Sequence, residues 1–224
     1  MNQLSLNLVA ITIFTFVLSS LLGPLIHLSP AVPAIAAFGL LGLATVDTLG
    51  LQGRGSAVLL DWLAGFSPEH RLRVIRHEAG HFLLAHHFDI PVTGYTLSAW
   101  EALRNGLPGY GGVNFDAGAI ERAIEQGQLS AQLLDRYFIV WMAGIAAETV
   151  VYGNAEGGAD DRQTLRLLWG RSQRSRQEGE QKLQWALLQA KMILQAKEPT
   201  YNALVEAMQR RAPIEECYQV LNHS

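Results

Sequence analysis

Hydrophobic positions follow two regimes along this chain. Through residue 46 they run almost unbroken, with scattered polar residues and no Asp, Glu, Lys or Arg. Leu4–Leu22 would make a helix about 28 Å long, close to the roughly 30 Å hydrocarbon core of a bilayer. Gly23-Pro24 interrupts that run, and Ala31–Val46 is a second apolar stretch ending at Asp47. The pattern predicts a transmembrane hairpin over residues 1–51. One span followed by a re-entrant or interfacial segment is an alternative reading. So is a cleaved secretory signal, against which stands the lack of a positively charged n-region.

Beyond Asp47 the apolar positions take on helical and strand periods. Residues 52–66 hold a glycine-rich exit and a candidate short helix at 56–65. Ser67-Pro68-Glu69 has the residues of a helix start: a hydroxyl cap, proline at the first position and an acid in the first turn. Leu72, Ile75, Ala79, Phe82 and Leu83 then recur at helical spacing, which predicts a helix over 67–88, before Pro91. Pro91–Ala99 reads as a strand through Val92, Tyr95, Thr96 and Leu97. Asn105-Gly106, Pro108-Gly109 and Gly111-Gly112 mark a loop, after which Val113–Phe115 is a candidate second strand. Helices are expected at 117–126, 129–152, 160–196, 199–211 and 213–221, with no internal repeat. Residues 67–224 thus form one mainly α domain with a small β element.

Charge and cysteine content narrow the partners. Acids outnumber Lys and Arg by 20 to 17, a net charge of −3 that argues against general nucleic-acid binding. Arg162, Arg166, Arg171, Arg174 and Arg176 cluster locally. A solvated face is the plain reading, contact with anionic lipid or a partner the alternative. No Lys or Arg precedes the second apolar run, whereas Arg54, Arg71, Arg73 and Arg76 follow it. That asymmetry orients the C-terminal part toward the cytoplasm or the equivalent interior of an organelle. Cys217 is the single cysteine, so no internal disulfide forms and a reducing compartment fits.

The helix expected at 67–88 carries the chemistry. His77-Glu78-Ala79-Gly80-His81 spells H-E-x-x-H, and residues four apart on a helix share one face. His77 and His81 can therefore offer two imidazoles to one zinc ion, with Glu78 about 100° round the helix as general base for an activated water. Two solvated histidines on an exposed face are what the pattern alone leaves open. Gly80 weakens the helix by about 1 kcal/mol, a cost that close approach of another backbone or a substrate would explain.

A catalytic zinc takes three protein ligands and keeps a fourth position open. Four side chains compete for the third place. His87 stands where metzincins put their third histidine, but Leu84 replaces the glycine that would turn the chain. Glu101 has the sequence separation from His81 found in thermolysin-like enzymes, but an expected strand lies between them rather than a direct helix return. Glu148 and Asp161 are the later carboxylates.

Met142-Ala143-Gly144-Ile145-Ala146-Ala147-Glu148, followed by Val150-Val151-Tyr152-Gly153, resembles the GGRAAE–FG segment of FtsH-type zinc metalloproteases. Gly157-Gly158-Ala159-Asp160-Asp161 is similar to their later G-A-S/A-N-D segment, whose aspartate completes the zinc site. With HEAGH, these blocks match in order and at similar spacing over most of residues 67–170. The resemblance implies a zincin-like peptidase domain with Asp161 as third ligand. It puts Asp160 at the asparagine position, behind the ligands or as a helix cap. Glu148 would orient a ligand histidine through its second ring nitrogen, or serve as a structural helix carboxylate. Ile145 stands where the family has arginine. No G-x-x-x-x-G-K-[ST] loop occurs, so the resemblance implies a peptidase domain without the ATPase module.

The expectation is a two-pass, membrane-anchored zinc endopeptidase acting on unfolded or membrane polypeptides. The strand near 91–99 would hold substrate by β-augmentation. A homo-oligomer or an ATPase-bearing homologue would be the assembly partner. A catalytically inert membrane partner or scaffold of an active protease is the alternative. An intramembrane protease is a further one, but Glu69, Arg71, Arg73 and Arg76 crowd the motif helix and are costly in a bilayer.

Overall fold

The computed structural model describes residues 3–50, 67–105, 111–171 and 175–223. Along the chain come α1 (Gln3–Leu22), α2 (Ala31–Gly50), α3 (Pro68–His87), β1 (Val92–Tyr95), α4 (Ala99–Arg104) and β2 (Val113–Phe115). They are followed by α5 (Gly118–Glu125), α6 (Ala131–Tyr152), α7 (Ala159–Gly170), α8 (Arg176–Ala196), α9 (Glu198–Gln209) and α10 (Ile214–Asn222). The protein is mainly helical with one small sheet, as the periodicities predict. It divides into two units, Met1–Ser67 with Ser98–Gly111 and Pro68–Leu97 with Gly112–Ser224. The expected helix at 56–65, the turn-forming residues 106–110 and Arg174 lie outside the described residues.

In the first unit, a single 3₁₀ turn at Gly23–Ile26 separates the two apolar helices. His27 ends it with a left-handed φ of 56°, and the Leu28 N–H returns to the Gly23 carbonyl at 2.8 Å. The hydroxyls of Ser19 and Thr45 bond back to the carbonyls of Phe16 and Leu41, so these polar groups are satisfied within their own helices. Large apolar side chains stay exposed all round, Phe14 at 65% and Phe38 at 82% among them. Among the described residues one helical stretch, Val9–Ile26, is long and apolar enough to cross a membrane; the apolar run Ala31–Asp47 is shorter. The short helix α4 was not anticipated from sequence, although Ser98 is its N-cap and accepts from the Glu101 N–H at 3.1 Å.

The second unit is built around α6. Residues from Leu134 to Glu148 are buried on nearly every face, because α3 and α8 both pack extensively against α6. Small residues make the α3 crossing close. A Cβ at Gly80 would lie 2.7 Å from the Ala143 carbonyl oxygen and 2.9 Å from the Ala147 methyl. The cost of glycine in α3 is therefore tied to backbone approach by a neighbouring helix. Helix α3 runs on through His87 and stops at Asp89, whose φ of 57° is left-handed, with the Ile90 N–H bonded to the Ala85 carbonyl at 2.9 Å.

The helix expected at 160–196 is two helices. Helix α7 ends at Gly170, and α8 begins under a capping box in which Ser175 and Glu178 bond each other's backbone N–H groups. The Trp169 indole N–H donates to the Ser175 carbonyl at 2.9 Å and pins the break. Of the arginine cluster, Arg162 and Arg166 lie on α7, Arg171 is its C-cap and Arg176 opens α8. Arg166 pairs with Glu180 at 2.8 Å on an exposed surface.

Strands β1 and β2 pair antiparallel, Gly94 opposite Asn114 and Tyr95 opposite Val113, with a bulge between Val92 and Gly94. The strand is thus shorter than the expected 91–99. The Tyr218 hydroxyl of α10 accepts from the Val92 N–H at 2.7 Å and donates to its carbonyl at 3.2 Å. Tyr218 therefore occupies β1 at Val92. The Val113 N–H of β2 turns instead toward α3.

Candidate metal centre

His77 and His81 project from successive turns of α3 into the crossing with α6, both buried, with ring centroids 4.9 Å apart. Burying an imidazole is costly unless its polar atoms find partners, and each Nδ1 has one. His81 Nδ1 lies 2.8 Å from the Val140 carbonyl oxygen. A carbonyl only accepts, so Nδ1 carries the hydrogen and Nε2 is left for another partner. His77 Nδ1 donates to Glu148 Oε1 at 2.7 Å, with the same consequence for its Nε2. Room for this ring comes from α6, where a Cβ at Gly144 would collide with it.

Asp161 meets both rings from the first turn of α7. Its Oδ2 is 3.2 Å from His77 Nε2 and 3.6 Å from His81 Nε2. Three donors at about 2.1 Å from one ion in tetrahedral directions stand about 3.4 Å apart, a value between these two separations. The buried His77, His81 and Asp161 group could hold a metal ion. The electrostatics favour positive charge at the same point. Burial opposes charge on His77, but hydrogen bonds to Asp161 and Glu148 outweigh it and lift the ring to about 10. Burial likewise opposes charge on His81, and Asp161 outweighs it and raises that ring too. Asp161 is held below the usual carboxylate range because the two histidines overcome its desolvation. Protons or a cation would satisfy this field equally, and the donor set of two imidazoles and a carboxylate suits zinc.

Glu78 stands beside this group. Its Oε2 accepts from the Val113 N–H of β2 at 2.8 Å, and Gly112 leaves space against the same carboxylate. Burial pushes its pKa above the usual carboxylate value, against the pull of both imidazoles. With its charged form disfavoured in this way, the carboxyl holds a proton more readily than an exposed glutamate.

Glu148, 1% exposed, accepts four hydrogen bonds. They come from His77, from Arg73 at 3.1 Å, from the Glu156 N–H at 2.9 Å and from the Gly157 N–H at 3.1 Å. Desolvation disfavours its charge, yet the bonds from His77, the Glu156 backbone and Arg73 hold it down to about 2. It sits behind His77, with its oxygens engaged away from the point where the three ligand atoms meet.

The structure thus brings together His77, His81, Asp161, Glu78 and Glu148. It does not bring in Asp160, which is exposed in the first turn of α7, while Gly158 takes the N-cap position. An acid there complements the helix dipole, which accounts for it without a role at the site. His86 bonds Asn222 at 3.1 Å, and His87 sits at the end of α3, ten residues and about 15 Å of rise past His77. Glu101 lies on α4, in the other unit. Cys217 is buried beneath the Ala212 carbonyl, with no metal-ligand cluster around it among the described residues. Sequence reasoning missed Arg73 and the backbone groups of Val140 and Val113. Arg73 was findable, since it precedes His77 by one helical turn on the same face; the backbone partners carry no side-chain signal.

No protein-family model matches this chain, and no curated protein matches it either.

Proposed function

We propose that this chain is a membrane-anchored zinc metalloendopeptidase that hydrolyses unfolded or membrane polypeptides. The observation that carries the reading is the convergence of His77 Nε2, His81 Nε2 and Asp161 Oδ2 with the half-buried carboxylate of Glu78 alongside. Bound there, zinc would supply Lewis-acid polarisation of a carbonyl and a water acidified to a pKa of about 7. Glu148 and the Val140 carbonyl hold the two rings in the tautomer that frees each Nε2. Glu78 is the general base, its Oε2 fixed by the Val113 N–H and its raised pKa suited to giving the proton on to a leaving amine. An extended substrate fits best along the edge of β2 that passes Glu78, because Tyr218 already occupies β1 at Val92. The resemblance of residues 142–153 and 157–161 to FtsH-type peptidases supports the same assignment and suggests an ATPase-bearing partner or a homo-oligomer.

We extend the proposal to a two-pass anchor with the peptidase unit on the cytoplasmic or equivalent side. The apolar helices α1 and α2 and the arginines confined to positions after them support this. The test is metal analysis of the purified full chain together with cleavage of an unfolded casein-like substrate. About one zinc per chain and metal-dependent cleavage are expected. Zinc without cleavage would favour a catalytically inert partner of an active protease.

A further inference from the structure

The connection between α6 and α7 has little burial to hold it. From Gly153 to Gly157 every residue is exposed except Ala155, which is half-buried. Yet this segment delivers Asp161, four residues beyond Gly157, to the two histidines with an Oδ2–Nε2 distance of 3.2 Å. Hydrogen bonds and one cation fix it instead. Arg73 Nη1 donates to Glu148 Oε2 at 3.1 Å and to the Asn154 carbonyl at 3.4 Å. Its Nη2 lies 3.4 Å from Glu156 Oε1, and its guanidinium stands 4.2 Å over the Tyr152 ring. Glu148 in turn takes the Glu156 and Gly157 N–H groups. A planar fork with several donors can bridge these acceptors at once, which a lysine cannot do.

We propose that Arg73 is a positioning residue for the metal centre, clamping the 152–157 turn to α3 so that Asp161 stands at His77 and His81 before an ion arrives. The inference rests on the metal-site reading above. A ligand held in place by the fold need not be ordered by the ion, and that ordering cost otherwise appears as weaker affinity. The same fork keeps Glu148 oriented on His77 Nδ1, so one side chain aligns two of the three ligands.

The experiment uses the full chain in detergent micelles, with zinc affinity read by chelator competition and site geometry by the visible absorption of the cobalt-substituted protein. Arg73→Met should bind zinc roughly 10–100-fold more weakly, the loss typical of partners that orient metal ligands. Its cobalt band should weaken as solvent replaces a fixed carboxylate, while far-ultraviolet circular dichroism reports an intact helical fold. Arg73→Lys keeps the charge but not the bridge, and should fall between wild type and Arg73→Met. If Arg73→Met does not fold, Arg73→Lys decides alone. Folded variants with wild-type zinc affinity and cobalt spectrum would reduce Arg73 to a fold-stabilising residue and overturn the inference. A wild-type chain that takes up neither zinc nor cobalt would sink the metal-site reading with it.

Discussion

Each side chain at the centre has a task defined by which of its atoms is already occupied. His77 and His81 have Nδ1 engaged, Glu78 has Oε2 engaged, and Glu148 has both oxygens engaged, two bonds to each. Among the described residues only Asp161 brings a carboxylate oxygen to both Nε2 atoms, so removing it and removing Glu148 should have different effects. Asp161→Ala should lose the metal from the purified chain, whereas Glu148→Ala should weaken zinc by roughly 10–100-fold, both read by chelator competition. Zinc abolished in Glu148→Ala and retained in Asp161→Ala would reverse the assignment. Glu78→Gln tests catalysis apart from binding. The amide keeps the shape and can still accept the Val113 N–H, so zinc content should match wild type. It cannot accept a proton at neutral pH, so hydrolysis of an unfolded substrate should fall by about 10²–10⁴. Cleavage at the wild-type rate would remove Glu78 from the mechanism.

At the scale of elements, the α3–α6 crossing sets the geometry, and its legibility in the sequence was partial for a physical reason. The i,i+4 spacing of His77 and His81 needs only a helix to be meaningful, so those residues could be read from the pattern. Asp161 is 80 residues beyond His81 by number, and no periodicity links them; only the similarity of three ordered blocks pointed to it. The break between α7 and α8 was legible in Ser175-x-x-Glu178, a capping box, but the surrounding helix-forming residues masked it. Val140 and Val113 act through backbone atoms, for which any residue type serves. Gly80 is where the crossing makes a prediction of opposite sign to local propensity. In an open helix, Gly→Ala would stabilise by about 1 kcal/mol. Here the new methyl would meet the Ala143 carbonyl oxygen at 2.7 Å, and overpacking of that kind costs about 1–3 kcal/mol. Gly80→Ala should therefore show a lower denaturant midpoint than wild type, with weaker zinc binding as His77 and His81 are pushed from Glu148 and Val140. A raised midpoint with unchanged zinc affinity would show that α3 and α6 part freely at this point.

For the whole molecule, the decisive quantity is where charge begins. Residues before Asp47 include no Asp, Glu, Lys or Arg, and α1 and α2 leave Phe14, Ile35 and Phe38 exposed, an apolar surface of the kind that marks membrane or protein contact. Composition and length favour Val9–Ile26 more strongly than Ala31–Asp47, whose apolar run is shorter and carries Pro33 at its start. An apolar run that short can still cross by locally thinning the bilayer, at a modest cost per ångström. The proposed two-pass anchor thus makes a specific demand on α2. With both helices crossing, and with Arg71, Arg73 and Arg76 held on the cytoplasmic side, tags at the two ends of the chain should be on that same side. In inside-out vesicles a protease should remove both tags, and in right-side-out vesicles neither. An N-terminal tag digested only from the outside, with the C-terminal tag digested only from the inside, would leave α1 as the sole span and α2 as an interfacial or re-entrant helix. Charge placement then sharpens the result. Replacing Leu40 in the middle of α2 by Arg should weaken membrane insertion of a true span, because a central arginine costs about 2.5–3.5 kcal/mol on the insertion scale. In the two-pass protein that variant should place the N-terminal tag outside in a measurable fraction of molecules, and in a protein anchored by α1 alone the tag pattern should not change.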